Sequence, residues 1–160
     1  MSEIKIRKAL RSDCARMMEL INELAVYERA PEEVTVTMDE FIDAGFGERP
    51  VWEAFLAEAD DTVIGLAIFY TRYSTWKGRR LYLEDFLVTD QCRGKGVGKL
   101  LFERVMQEAR DRNYHGMTWQ VLDWNEPALN FYRKYAARVE PGWLNASFDS
   151  AYIRSFPFED

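Results

Sequence analysis

The chain has 160 residues, of which 48% are hydrophobic and 30% charged, and its formal net charge is −6. That balance predicts one soluble domain over residues 1–160. Its acidity argues against a nucleic-acid partner, and no apolar run approaches the roughly 20 residues of a membrane helix. Two cysteines (Cys14, Cys92) and one histidine (His115) supply no disulfide framework, metal-ligand spacing or histidine-based triad, so no metal is expected. With no apolar leader at the N-terminus, the cytoplasm is the expected compartment.

Ile4 to Arg7 alternates and reads as a first strand. Ser12-Asp13 is placed to cap a helix carrying Met17, Met18, Leu20, Ile21 and Leu24. Thr37 to Glu40 has capping-box spacing and opens a second helix that ends near Gly45-Phe46-Gly47. Glu53 to Glu58 and Val63 to Tyr73 read as paired strands around Asp60-Asp61, with Gly65 marking a bulge. Ser74 to Arg80 reads as a turn and Leu81 to Val88 as the next strand. Gly98 to Arg112 has the periodicity of an amphipathic helix, and Met117 to Leu122 reads as a strand. Asn125 is placed to cap a helix with Pro127 in its first turn. Ala151 to Phe156 reads as a last strand. His115 reads as a surface or turn residue. The order is α+β, an antiparallel meander followed by βαβα.

Between the Leu81 strand and the Gly98 helix lies Arg93-Gly94-Lys95-Gly96-Val97-Gly98. Glycines let a backbone turn its N–H groups inward, and a helix N-terminus favours an anion. The spacing is neither the dinucleotide fingerprint nor a P-loop, which disfavours a nucleotide-phosphate binder. A glycine-rich turn can also be no more than a tight connection.

The pattern R-x-x-G-x-G between strand and helix resembles the acetyl-CoA pyrophosphate loop of the GNAT N-acetyltransferases. Tyr73 to Arg79 (YSTWKGR), Tyr82 to Asp85 (YLED), Asp43 to Pro50 (DAGFGERP) and Leu122 to Asn125 (LDWN) extend the likeness to the diamine acetyltransferases. These comprise spermidine/spermine and thialysine enzymes, with YSTWKGR and LDWN closer to the thialysine branch. The resemblance runs from about Ile4 to Trp143. It implies the GNAT acyl-CoA N-acyltransferase fold, a mixed central β-sheet flanked by helices. It further implies acetyl-CoA as co-substrate and a homodimer with the amine site near the subunit boundary. The loop amides of Arg93, Gly94, Lys95, Gly96, Val97, Gly98 and Lys99 would hold the pyrophosphate. Backbone groups of Phe86, Leu87 and Val88 would hold the pantetheine, with Asn125, Glu126, Pro127, Ala128 and Tyr132 as further cofactor contacts.

Strict alternation would put Tyr82, Glu84, Phe86 and Val88 on one face and Leu83, Asp85 and Leu87 on the other. An alkylamine arrives protonated, since its pKa lies near 10, and must lose a proton before it attacks a thioester. A carboxylate beside the thioester, directly or through water, can hold the cation and take that proton. By resemblance Glu84 is the general base and a substrate ligand. Asp85 is either a second amine contact or a structural pair, and both acids also admit a plain ion-pair reading. A phenol can protonate the leaving thiolate, and by resemblance Tyr132 is that acid. Asn125 is a helix cap, a pantetheine contact, or both. Tyr27 and Glu28 match substrate-contacting residues. Trp76 either lines the amine channel, where cation–π attraction operates, or is a turn aromatic packed on the meander. Cys92 reads as a small spacer.

Three positions depart from the diamine pattern. Ala136 stands where the family closes its last helix with glycine. Pro141, next to Glu140, and Ser74 stand where spermidine enzymes carry acids. Fewer acids lean the expectation toward a shorter amine or an amino acid with a side-chain amine. The rivals are a protein lysine or N-terminal acetyltransferase and a non-catalytic acyl-CoA sensor.

Overall fold

The computed structural model describes residues 3–157. The chain divides into two compact units, one ending at Gln120 and the other beginning at Val121.

The first unit holds a five-stranded sheet in the order β1-β2-β3-β4-β5: β1 Lys5–Lys8, β2 Glu53–Ala59, β3 Thr62–Ser74, β4 Gly78–Val88 and β5 Met117–Trp119. Neighbours are antiparallel except β4 and β5, which run parallel. The mixed sheet is therefore as expected. Asp60 and Asp61 both have left-handed φ, 50° and 57°, the backbone of a two-residue hairpin turn. The Gly65 bulge is found where the β2–β3 register slips past Ile64. The expected turn at Ser74 to Arg80 is shorter, because β3 and β4 pair out to Ser74 and Gly78. The strand expected to reach Leu122 ends at Trp119.

Helices cover both faces of the sheet. On one, Cys14, Met17 and Leu20 of α1 (Cys14–Tyr27) and Phe41 of α2 (Met38–Phe46) pack with Leu56, Leu66, Ile68 and Leu87. Fully burying each such side chain contributes about 1.5–3 kcal/mol. On the other, Phe102 of α3 (Val97–Asp111) meets Phe86 and Trp119 at ring separations of 5.6 and 5.5 Å. Arg104 covers Phe55 at 4.0 Å. Thr37 caps α2 as expected, its hydroxyl accepting from the Glu40 N–H at 3.2 Å. Ser12-Asp13 does not cap α1 through a side chain. The Asp13 carboxylate turns back instead, accepting from the Leu10 N–H at 2.7 Å and from the Arg7 guanidinium at 2.7 and 2.9 Å. That pairing ties β1 to α1 and holds the Asp13 carboxyl below its ordinary range.

The second unit contains α4 (Glu126–Arg133) and α5 (Ser150–Ser155). Asn125 caps α4, its Oδ1 accepting from the Ala128 N–H at 3.2 Å. Ala136 adopts φ 53°, and the Ala137 N–H donates to the Tyr132 carbonyl at 3.2 Å. Alanine thus keeps the left-handed cap that glycine would supply at no steric cost. The strand expected over Ala151 to Phe156 is a helix. Asp149 caps it by accepting from the Tyr152 N–H at 2.7 Å, and Phe148 stacks on Tyr152 four residues on, with ring centroids 4.8 Å apart.

Candidate active site

β4 is irregular where its two acids lie. Leu83 pairs with Phe69 and Asp85 with Ile68, so Glu84 is an extra residue, a β-bulge. The bulge breaks the alternation read from the sequence. Cross-strand partners share a face, so Leu83 lies with Phe69 on the α3 side while Asp85 lies with Ile68 on the α1 side. Glu84 itself is exposed. Among the described residues, the β4–β5 ladder pairs Leu81 to Leu83 and runs no further. The stretch beyond the bulge, Asp85 to Val88, pairs with β3 on its other side and leads into the glycine loop.

Three carboxylates surround this point. Asp85, half-buried, is pushed up to about 6, chiefly by burial and then by the neighbouring Glu84 and Glu28 charges. Glu28, the C-cap of α1, is raised by partial desolvation. Two tyrosines, Tyr70 and Tyr82, lie opposite each other on β3 and β4 with ring centroids 5.1 Å apart. Burial, and then the charge of the nearby Glu84 carboxylate, pushes the Tyr70 phenol up to about 12. Arg72 covers the Tyr82 ring at 5.4 Å. Tyr70 was not singled out from the sequence. Its signal was available only as the alternate aromatic of Phe69-Tyr70-Thr71-Arg72-Tyr73, whose partner depends on the bulged register.

The loop leaves its glycine backbone open. Gly94 and Gly96 have φ of 74° and 84°, and no atom lies within 4 Å of where a Cβ would stand. Gly98 lies in the first turn of α3, as expected of the start of that helix, which begins one residue earlier at Val97. The first-turn N–H groups of a helix have no acceptor within it, so those of α3 and the open glycine backbone face the same ligand class. The loop cations do less than their number suggests. Arg93 donates from Nε to the Val88 carbonyl at 3.0 Å, pairs with Asp90 at 2.8 Å and lies 4.8 Å over the Tyr27 ring. Lys95 Nζ donates to the Gln91 carbonyl at 2.8 Å. Arg93 therefore braces the loop against α1 and brings Tyr27 to it.

Trp76 is 88% exposed at the β3–β4 hairpin tip, so it does not pack on the meander. Ser74 shapes that tip, its hydroxyl accepting from the Trp76 and Lys77 N–H groups at 3.3 and 3.1 Å. From Gly78 to Glu84 is about 20 Å of strand at roughly 3.3 Å per residue, so one chain does not bring Trp76 and Glu84 together. In the second unit Tyr132 and Asn125 are buried, and Glu126, Pro127 and Ala128 form the first turn of α4.

A profile of the acetyltransferase (GNAT) family matches residues 14–136. The chain belongs to the GNAT acetyltransferase family. It is thereby an acetyltransferase, of a family that generally uses acetyl-CoA. It is 34% identical to a thialysine N-epsilon-acetyltransferase of Mus musculus over 96% of this chain and 97% of that protein. It is 31% identical to the human spermidine/spermine N(1)-acetyltransferase-like protein 1, over 100% of this chain but 24% of that longer protein. In fold it is similar to an aminoglycoside acetyltransferase from an uncultured soil metagenomic sample. The TM-score is 0.75 at 16% identity, covering 91% of this chain and 95% of that one. The acetyltransferase has a loop that fits the pyrophosphate of acetyl-CoA, since the glycine backbone is open and a helix N-terminus follows it. No helix among the described residues is long and apolar enough to cross a membrane.

Proposed function

We propose that this acetyltransferase transfers acetyl from acetyl-CoA to the primary amine of a small substrate, of thialysine, diamine or polyamine type, by direct attack in a ternary complex. The carrying observation is the carboxylate group Glu28, Glu84 and Asp85 at a bulge on the strand that runs into the anion-binding loop. A cluster of acids next to a loop for an anion suits one cationic and one anionic reactant.

Acetyl-CoA, when bound, supplies an activated thioester. The loop from Arg93 to Lys99 holds its pyrophosphate through backbone N–H groups, and the backbone of Phe86, Leu87 and Val88 holds its pantetheine. Asp85 and Glu28 stabilise the incoming ammonium. Glu84, exposed at the bulge, takes the proton that the nitrogen must lose. The amine nitrogen then bonds to the acetyl carbon, the carbon–sulfur bond breaks as the Tyr132 phenol gives the leaving thiolate its proton, and the second proton that the nitrogen sheds on becoming an amide restores the phenol by way of water. Asn125 to Ala128 add cofactor contacts.

The same reading takes the chain as one domain, working as a homodimer in the cytoplasm, a compartment its two free cysteines suit. In such a dimer the exposed Trp76 ring is available to a partner copy's amine site. The name of the mouse relative supports the thialysine branch, as do Ser74 and Pro141 in place of acids. The test is free-thiol release from acetyl-CoA with thialysine, lysine, putrescine, spermidine and a lysine-containing peptide. Selective turnover of a small free amine is expected. Turnover of the peptide alone would make it a protein acetyltransferase, and binding of acetyl-CoA without turnover of any amine would make it a sensor.

A further inference from the structure

Helix α1 touches the glycine loop at two places one helical turn apart. Glu23 and Tyr27 are four residues apart and so share a face. Glu23 Oε1 accepts from the Thr89 hydroxyl at 2.6 Å and from the Asp90 N–H at 3.3 Å. Tyr27 receives the Arg93 guanidinium at 4.8 Å. Thr89 is the first residue after β4, and its own N–H donates to the Ile64 carbonyl at 2.9 Å. Cys92 and Arg93 then donate back to the Thr89 and Asp90 carbonyls at 2.9 and 3.2 Å. The contacts that tie the entry of the loop to α1 therefore pass through Thr89, Asp90 and Arg93. The Glu23 carboxylate is the acceptor that joins two of these groups to another element.

We propose that Glu23 is a positioning residue for acetyl-CoA: by holding Thr89 and Asp90 it sets the trajectory on which the Gly94 to Lys99 backbone meets the pyrophosphate. The proposal rests on the loop's role given above. A carboxylate accepting a hydroxyl at 2.6 Å is a short, charge-assisted bond, about twice as strong as a neutral one. The loop it restrains contains two left-handed glycines with open space where a Cβ would stand, so packing at Gly94 and Gly96 adds no restraint of its own. A bound pyrophosphate needs several N–H groups aimed at once, and a loosened entry must be re-ordered on binding. The effect should appear in cofactor affinity and leave the chemical step alone, because Glu23 touches neither reacting group.

Glu23→Ala and Thr89→Val test this in the full chain, with acetyl-CoA affinity measured by calorimetry and kcat measured at saturating acetyl-CoA. Each variant is expected to raise the acetyl-CoA Kd about tenfold, equivalent to 1.4 kcal/mol, with kcat within about twofold of wild type. The double variant should be no worse than Glu23→Ala alone, because Glu23→Ala already removes the bond that Thr89→Val removes. Glu23→Gln, which keeps an acceptor oxygen, should recover most of the affinity. Wild-type affinity in Glu23→Ala, or full additivity in the double variant, overturns the proposal. So does a fall in melting temperature with Kd unmoved. If the wild-type chain itself fails to bind acetyl-CoA, the loop's assignment falls first and this proposal with it, an outcome distinct from the others.

Discussion

Replacing Asp85 by asparagine will stabilise the ligand-free enzyme at neutral pH. Asp85 lies opposite Ile68 on the α1 side of the sheet, half-buried, with the Glu84 and Glu28 charges near it. Burial first, and those charges second, push its carboxyl up to about 6. The unfolded chain titrates near 4, so the difference is about 2 pH units at 1.36 kcal/mol each. Allowing for partial exposure, ionised Asp85 costs the fold about 2 kcal/mol. Between about pH 4 and 6 the native state binds a proton that the unfolded state has lost, so wild-type stability falls as pH rises through that window. The cost is constant above about pH 6 and absent below about pH 4. Asparagine removes it, so Asp85→Asn should unfold about 2 kcal/mol later at pH 7.5, or about 4–8 °C higher in Tm. The advantage should shrink to nothing near pH 4. Urea unfolding of both proteins at several pH values, followed by tryptophan fluorescence, reads this directly. A difference constant from pH 4 to 7.5, or a variant less stable at pH 7.5, would refute the reasoning.

Further outcomes follow from the backbone and the chemistry. Ala136→Gly should gain about 1 kcal/mol, since alanine at φ 53° bears a left-handed cost that glycine lacks. Differential scanning calorimetry should show a higher melting temperature. Gly96→Ala should weaken acetyl-CoA binding and cost about 1–2 kcal/mol of stability, through backbone strain alone, because the new methyl group meets no neighbour at φ 84°. Equilibrium binding and urea unfolding check both effects. Tyr132→Phe, which keeps the ring and loses only the hydroxyl, should lower kcat by about 10²-fold or more with acetyl-CoA affinity nearly intact, measured by steady-state kinetics beside calorimetry.

What could be read from the sequence was local. The 3.6-residue spacing of Met17, Leu20 and Leu24, the Thr37 and Asn125 caps and the Asp60-Asp61 turn each depend on neighbours a few residues away, and each is present. The bulge at Glu84 was not legible, because it arises from the register of β4 against β3 and carries no residue signature. That single extra residue reverses the face of Asp85 relative to Leu83 and exposes Glu84. Asp13 has the composition of a cap, yet Arg7 and the Leu10 N–H compete for its carboxylate and win. Ala151 to Phe156 looks like a strand by its Tyr-Ile pair. Asp149 and the aromatic pair at Phe148 and Tyr152 favour a helical turn instead. Arg93 shows the same limit in the loop. Its charge suggested the ligand, whereas its guanidinium is engaged by Val88, Asp90 and Tyr27.

The central claim is that Glu84 deprotonates the amine. Its most direct test is the pH dependence of kcat/KM for Glu84→Gln and wild type on the preferred small amine, with acetyl-CoA affinity measured alongside. A fall of about 10²–10⁴-fold in kcat/KM is expected, with an acetyl-CoA Kd within about twofold of wild type. Wild-type kcat/KM in Glu84→Gln across the pH range would contradict it.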